Sequence, residues 1–207
     1  MSKITTGLTA IILLVSFLLI GITTASVLSE SNSGLTENTD LDEITNEVID
    51  EISTYIQIRD QIGKFYEIDG VKKIQKIAIL ISPLVTQDIN VSQLTIQLNN
   101  GESVHMLTYS LYSESLDQSS IFEHNIWNYI TGENFGFISI CDLDDSLVNY
   151  DLINDYSDNA YVVFRLPLDI ALAKHDKIII TLFPSTGITR TLELEAPLPI
   201  KSVVTFD

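Results

Sequence analysis

Leu94-Thr-Ile-Gln-Leu-Asn-Asn-Gly-Glu-Ser-Val-His-Met-Leu-Thr108 is the stretch on which the fold turns. Leu94, Ile96 and Leu98 recur at every second residue, the spacing that puts side chains on one face of a strand. Asn100-Gly101 then supplies residues that tolerate φ > 0, so the chain reverses in a tight hairpin into a second strand marked by Val104, Met106 and Thr108. Outward from this hairpin the same period returns. Upstream, Ile77, Ile79 and Ile81 alternate; downstream lie Phe135 to Cys141, Ala160 to Leu166, Lys177 to Leu182 and Thr189 to Glu195, the last two joined by Pro184-Ser-Thr-Gly187. Seven or eight short strands separated by turn signals predict a β-sandwich. Pro197 and Pro199 cannot donate to a ladder, so Lys201 to Phe206 reads as an edge strand or a tail.

The N-terminal quarter has a different texture. Ile4 to Ser29 contains no charged residue, and Ala10-Ile-Ile-Leu-Leu-Val-Ser-Phe-Leu-Leu-Ile20 is almost continuously apolar. As a helix, Ile4 to Leu28 spans about 37 Å at ~1.5 Å per residue, enough to cross a bilayer. A secretory signal peptide is the alternative, with Ala25-Ser26-Val27 as its cleavage region, but its apolar core is shorter and its n-region more basic than Lys3 alone provides. Ser29 to Asp40 has the composition of a spacer. Asp40 with Glu43 then forms a capping box, and Leu41, Ile44, Val48, Ile52 and Tyr55 recur at helical spacing with acids between them. This amphipathic helix is expected to end near Tyr55, where Ile56 and Ile58 begin a strand-like alternation.

Composition limits the chemistry. The chain has 207 residues, 45% apolar, with 28 acidic against 11 basic residues and a formal charge of −17. That length and apolar content suffice for one packed domain plus an appendage. The acidity excludes nucleic acid, because neutralising phosphates requires clustered Lys and Arg. A single cysteine, Cys141, cannot bridge within the chain and is expected in the core. There is no Gly-x-Ser-x-Gly elbow, Walker loop, His-Glu-x-x-His or Cys-x-x-Cys, and His105, His124 and His175 are scattered. No enzyme, no cofactor requirement and no small-molecule substrate are therefore expected.

Two local signals remain. Asp142, Asp144, Asp145 and Asp151, with Asn149, Asn154, Asp155 and Asp158, crowd a loop between two strands. Hard cations such as Ca²⁺ take six to eight oxygen ligands, and such a loop supplies several. It departs from an EF-hand, because Leu147 stands where the glycine belongs and Ile153 where the glutamate belongs, so plain loop solubility is the competing reading. Asn90-Val91-Ser92 is a glycosylation sequon, used only in an exported protein.

Lys3-Ile-Thr-Thr-Gly7-Leu8-Thr-Ala10-Ile-Ile-Leu-Leu-Val15 resembles the start of archaeal flagellins, or archaellins. The likeness continues through Gly70-Val-Lys-Lys-Ile-Gln-Lys-Ile-Ala-Ile-Leu-Ile-Ser82-Pro83 and Asp88-Ile-Asn-Val-Ser-Gln-Leu94, which are similar to that family's first sandwich strands. Phe137 to Asp145 resembles its strand and acidic loop, and Ile178 to Ser185 through Ala196-Pro197 its closing hairpin.

The resemblance implies an α+β arrangement: a long N-terminal hydrophobic α-helix followed by an all-β, immunoglobulin-like β-sandwich. Residues 1–3 are then a short leader, 4–54 the helix (hydrophobic over 4–28, spacer and amphipathic part over 29–54), and 55–207 the outer domain. It implies a structural subunit that polymerises into the archaellum filament for swimming motility. A prepilin-type peptidase removes the leader, and a separate motor and platform drive the filament. Leu8, Ile11, Ile12, Leu14, Val15, Leu18, Leu19 and Ile22 would form the polymerisation helix, stored in the membrane before assembly and buried among other copies in the extracellular, cell-surface filament. Processing falls at Lys3 and Ile4, although the usual leader is more basic and carries a glycine before the cut; cleavage there, one residue later, or not at all stay open. Thr9 stands where some members carry a glutamate, so no charge pairing is carried over. The alternatives are a membrane-anchored accessory or stator protein of the same machine, or an adhesive type IV-like pilin.

Overall fold

The computed structural model describes residues 55–86, 88–117, 119–185 and 188–206. The chain divides into two units, Met1–Ile49 and Asp50–Asp207, and every described residue belongs to the second. The expected N-terminal helix, its polymerisation residues and the processing positions lie outside the described residues. Among those described, no helix is long and apolar enough to cross a membrane.

Among the described residues eleven strands follow one another, more than the seven or eight expected: β1 (Ile56–Ile68), β2 (Val71–Pro83), β3 (Ile89–Asn90), β4 (Thr95–Asn99), β5 (Val104–Ser115), β6 (Asn134–Cys141), β7 (Leu152–Ile153), β8 (Asn159–Arg165), β9 (Lys177–Phe183), β10 (Arg190–Glu195) and β11 (Val203–Thr205). Nine form a single curled sheet in the order β10-β9-β4-β5-β6-β8-β2-β1-β11, and β3 pairs with β7 separately. The C-terminal segment is an edge strand, with β11 against Ile62–Lys64 of β1 and Phe206 buried beyond it.

One strand pair explains the curl. β5 and β6 run parallel, with Thr108 opposite Asn134 and Ser115 opposite Ser139, and the register slips between Tyr109 and Ser113. Leu111 sits inside that slip at φ 64°, a left-handed conformation that is costly for a branched residue and that bends β5 so that its two ends serve different halves of the sheet. Parallel neighbours also need a crossover of a dozen residues or more. Residues 116–133 provide it, through two short 3-10 helices at Ile121–Glu123 and Asn125–Asn128.

That crossover roofs the outer face of the half-sheet β6-β8-β2-β1. Phe122, Ile126, Trp127 and Ile130 pack there on Ile62, Ala78, Ile138 and Val163, while the inner faces of the same strands carry Ile77, Ile79, Phe135, Phe137, Val162 and Phe164 into the main core. β2, β6 and β8 are therefore buried on both sides, which is why they read as nearly continuous apolar runs. Gly136 is required beneath the roof. A Cβ there would lie 2.8 Å from the Tyr112 carbonyl oxygen and 3.0 Å from the Ile126 and Ile130 methyls.

Cations fasten the roof. Lys64, Lys76 and Arg165 stand side by side across β1, β2 and β8, a like-charge row that is unfavourable unless compensated. Lys76 is 8% exposed, donates to the Phe122 carbonyl at 3.1 Å and lies 4.5 Å from the Trp127 ring centroid. Arg165 donates to the carbonyls of Ile130 (2.9 Å) and Trp127 (2.7 Å), and Lys64 pairs with Glu123. Carbonyls that the short helices leave open thus find charged donors. Burial, and then repulsion from Arg165 and Lys64, pulls the Lys76 pKa down to about 8.

The opening hairpin pairs as expected, Thr95 opposite Thr108 and Asn99 opposite Val104, with two corrections. Its loop is four residues long and only Gly101 has positive φ; the Asn100 side chain accepts from the backbone of Glu102 and Ser103 instead. Leu107 is the buried residue of the second strand, whereas Val104 and Met106 are 56% and 52% exposed. Cys141, expected in the core, is only partly buried at the end of β6.

Gly136→Val should destabilise the domain by about 1–3 kcal/mol, because the added volume meets backbone under the roof; urea unfolding followed by the fluorescence of Trp127, the single tryptophan, reads this. The Lys76 pKa is depressed in the folded state, so the unfolded chain holds its proton over a higher pH range. Stability should therefore rise as pH climbs from about 8 toward the ordinary lysine value of 10.5, and Lys76→Met should remove its share of that rise.

Candidate metal centre

After β6 the chain enters Asp142-Leu-Asp144-Asp145, makes the short helix Ser146–Tyr150, and returns through β7 and the turn 154–158 into β8. Asp145 and Asp151 flank that helix at φ 56° and 57°, and Asp enters the left-handed region more readily than most residues. The Asp142 carboxylate accepts from the Ser146 and Leu147 amides at 3.0 and 3.1 Å. Asp144 accepts from the Ser146 amide at 3.1 Å and from the Asn154 side-chain amide at 3.0 Å. Asp158 closes the turn, its Oδ2 taking the Asn154 and Asp155 amides at 2.9 and 3.0 Å.

These bonds bring three carboxylates together: oxygens of Asp142, Asp144 and Asp158 all lie within 4.8 Å of one another. Asp158 is 2% exposed, and its Oδ1 has no hydrogen-bond partner among the described residues. A buried carboxylate oxygen without a donor is costly. Burial raises the Asp142 pKa, helped by a hydrogen bond with Asp144 and the charge of Asp158. The Asn154 amide and the Ser146 hydroxyl hold Asp144 down to about 2. Oxygen-only donors with spare lone pairs fit a hard divalent cation such as Ca²⁺, which would relieve both the repulsion and the orphaned oxygen.

Of the four residues singled out from sequence, Asp142 and Asp144 enter this group. Asp145 and Asp151 lie outside it: Asp145 caps the short helix from the left-handed region without a side-chain bond, and Asp151 accepts from the Tyr109 hydroxyl at 2.6 Å. Asp158 takes the third place, and only the return through β7, which pairs Ile153 with Ile89, brings it there. Asn90 is exposed; its Oδ1 accepts from the backbone and hydroxyl of Ser92. The three histidines do not converge. His105 pairs with Asp169 at 2.9 Å, His175 with Glu195 at 3.1 Å, and His124 is buried within the roof, accepting from the Ile126 amide.

A β-rich domain built on one curled sheet and carrying an acidic loop is the kind of unit displayed by a surface structural protein. The family model for archaeal-type flagellin matches residues 5–194, and the chain belongs to that family. It is a structural subunit of the archaellum filament. Among solved structures, archaeal flagellin FlaB1 from Methanocaldococcus jannaschii is similar at 18% identity and a TM-score of 0.62, over 73% of this chain and 95% of that one. The archaeal flagellum of Methanospirillum hungatei strain JF1 is similar at 13% identity and a TM-score of 0.54, over 97% and 99%. The archaellum stator complex FlaF–FlaG from Sulfolobus acidocaldarius reaches a TM-score of only 0.39 at 8% identity, too low to bear on the fold. No curated protein matches the chain closely enough to count as a relative.

With Ca²⁺ at a hundredfold excess over its Kd, a bound ion should stabilise the domain by about 2.7 kcal/mol. That gain should fade as pH falls through the raised range of Asp142, since proton and cation compete for one carboxylate. Asp158→Asn, which keeps an acceptor for both turn amides, should abolish it; urea midpoints with Ca²⁺ and with chelator measure the difference.

Proposed function

We propose that the filament is assembled through the uncharged N-terminal segment, with residues 4–54 forming a helix whose apolar part, 4–28, bundles in the filament core. The domain from residue 55 onward is an immunoglobulin-like sandwich on the outside. The observation that carries this reading is the absence of any charge from Ile4 to Ser29, within a family match that begins at residue 5. Lipid solvates this apolar surface in the stored precursor, and neighbouring helices solvate it in the filament, so transfer exposes none of it to water. Processing by a prepilin-type peptidase at Lys3 and Ile4, and a motor and platform that extract and turn the polymer, complete the proposal.

Two features belong to the outer domain. The triad Asp142, Asp144 and Asp158 holds a structural Ca²⁺ that fixes the β6–β8 loop, and Asn90 is exposed for glycan attachment in the sequon.

Leu14→Lys places a charge in the proposed core, where burying it unpaired costs several kcal/mol. Cells producing this variant should shed no filaments on shearing while the chain accumulates in their membranes; filaments at wild-type yield would refute the reading.

A further inference from the structure

Two halves of the curled sheet differ on their outer faces. The half β6-β8-β2-β1 is roofed by residues 116–133, while the half β10-β9-β4-β5 has no cover among the described residues. Its register places Met106, Gln97, Thr181 and Thr191 in one row across the four strands, and Val104, Asn99 and Ile179 in the next. The second row meets a charge only at Glu193 on the edge strand. Val104, Met106 and Ile179 are 56%, 52% and 41% exposed.

Such a face is out of keeping with the rest of the chain. A solvated sheet surface in a protein of charge −17 would be expected to carry unpaired carboxylates at many outward positions, yet seven of these eight carry neither acid nor base, and the eighth, Glu193, is paired with Lys177 at 2.7 Å at the margin of the face. Depletion of charge with retention of aliphatic and uncharged polar side chains marks the centre of a protein interface. We propose that this face is a contact for a second copy of the chain in the filament, an inference that rests on the filament reading. The charge balance selects that occupant. Copies at −17 repel one another everywhere their carboxylates approach, and an uncharged face is where two of them meet with least repulsion and least desolvation.

The area fits a polymer and not a free dimer. Four strands about 4.8 Å apart and two outward positions long, about 6.8 Å each, present roughly 260 Å², well below the ~800 Å² per partner of a stable interface. The contact is therefore auxiliary, and it forms where other contacts already hold the subunits side by side. In a helical polymer the interface is head-to-tail, so this face meets a different surface of its neighbour.

Incorporation of the photo-crosslinking residue p-benzoylphenylalanine at Gln97 of the full chain, followed by irradiation of sheared filaments, tests this directly. Chain-to-chain dimers on a denaturing gel are the expected result. Monomer-sized product linked to residues 1–54 of the same chain, attachment to a different protein, or no cross-link overturns it. A second variant, Gln97→Glu with Thr181→Glu, should leave the urea midpoint of the chain unchanged and cause loss of sheared filaments; normal filaments overturn the face and leave the filament reading intact. If the wild-type chain itself is missing from sheared filaments, the filament reading fails and the contact between copies fails with it.

Discussion

Burial of the central strands on both faces is the constraint on which the rest of the domain depends. β2, β6 and β8 lie in the middle of one sheet, and water must be kept from both of their surfaces. Curling the sheet covers the inner surface, and the bend at Leu111 in β5 permits that curl. The outer surface is covered by the crossover that the parallel β5–β6 pairing demands in any case. One topological requirement thus supplies the roof, and Gly136 gives it room to approach.

Charge is distributed around this arrangement in a consistent way. Three of the few cations stand in a row under the roof, tied to backbone carbonyls and the Trp127 ring, and the depressed pKa of Lys76 reflects the burial and crowding of that row. Carboxylates concentrate in the β6–β8 loop, where backbone amides compensate all but one oxygen of the buried Asp158. Between these extremes lies the outer face of β4, β5 and β9, where Gln97, Asn99, Val104, Met106, Ile179 and Thr181 carry no charge. A subunit that must pack beside identical acidic copies has its repulsion set by where carboxylates are absent as much as by where they are present.

The candidate metal centre was half legible. Asp142 and Asp144 stand out because acidic residues two apart at the end of a strand converge locally. Asp145 and Asp151 look equivalent in sequence, but left-handed backbone at both positions takes them to other tasks. Asp158 enters through a turn sixteen residues from Asp142, positioned by the β3–β7 pair, and no local period announces that return.

What the sequence determined by itself was local. Strand positions of β6, β8, β9 and β10 followed from two-residue periodicity and from Gly and Pro punctuation, because both act between near neighbours. The charge-free run at the N-terminus and the order of segments indicated the family in the same way. Tertiary structure decided which face of β5 is inward. Val104 and Met106 on one face and Leu107 on the other are all apolar, so alternation alone is ambiguous, and pairing with β4 resolves it in favour of Leu107. It also decided that Lys76 is buried, since its partner carbonyl at Phe122 lies 46 residues away. Contacts between distant segments settle such questions because burial is a property of the assembled surface and not of the residue.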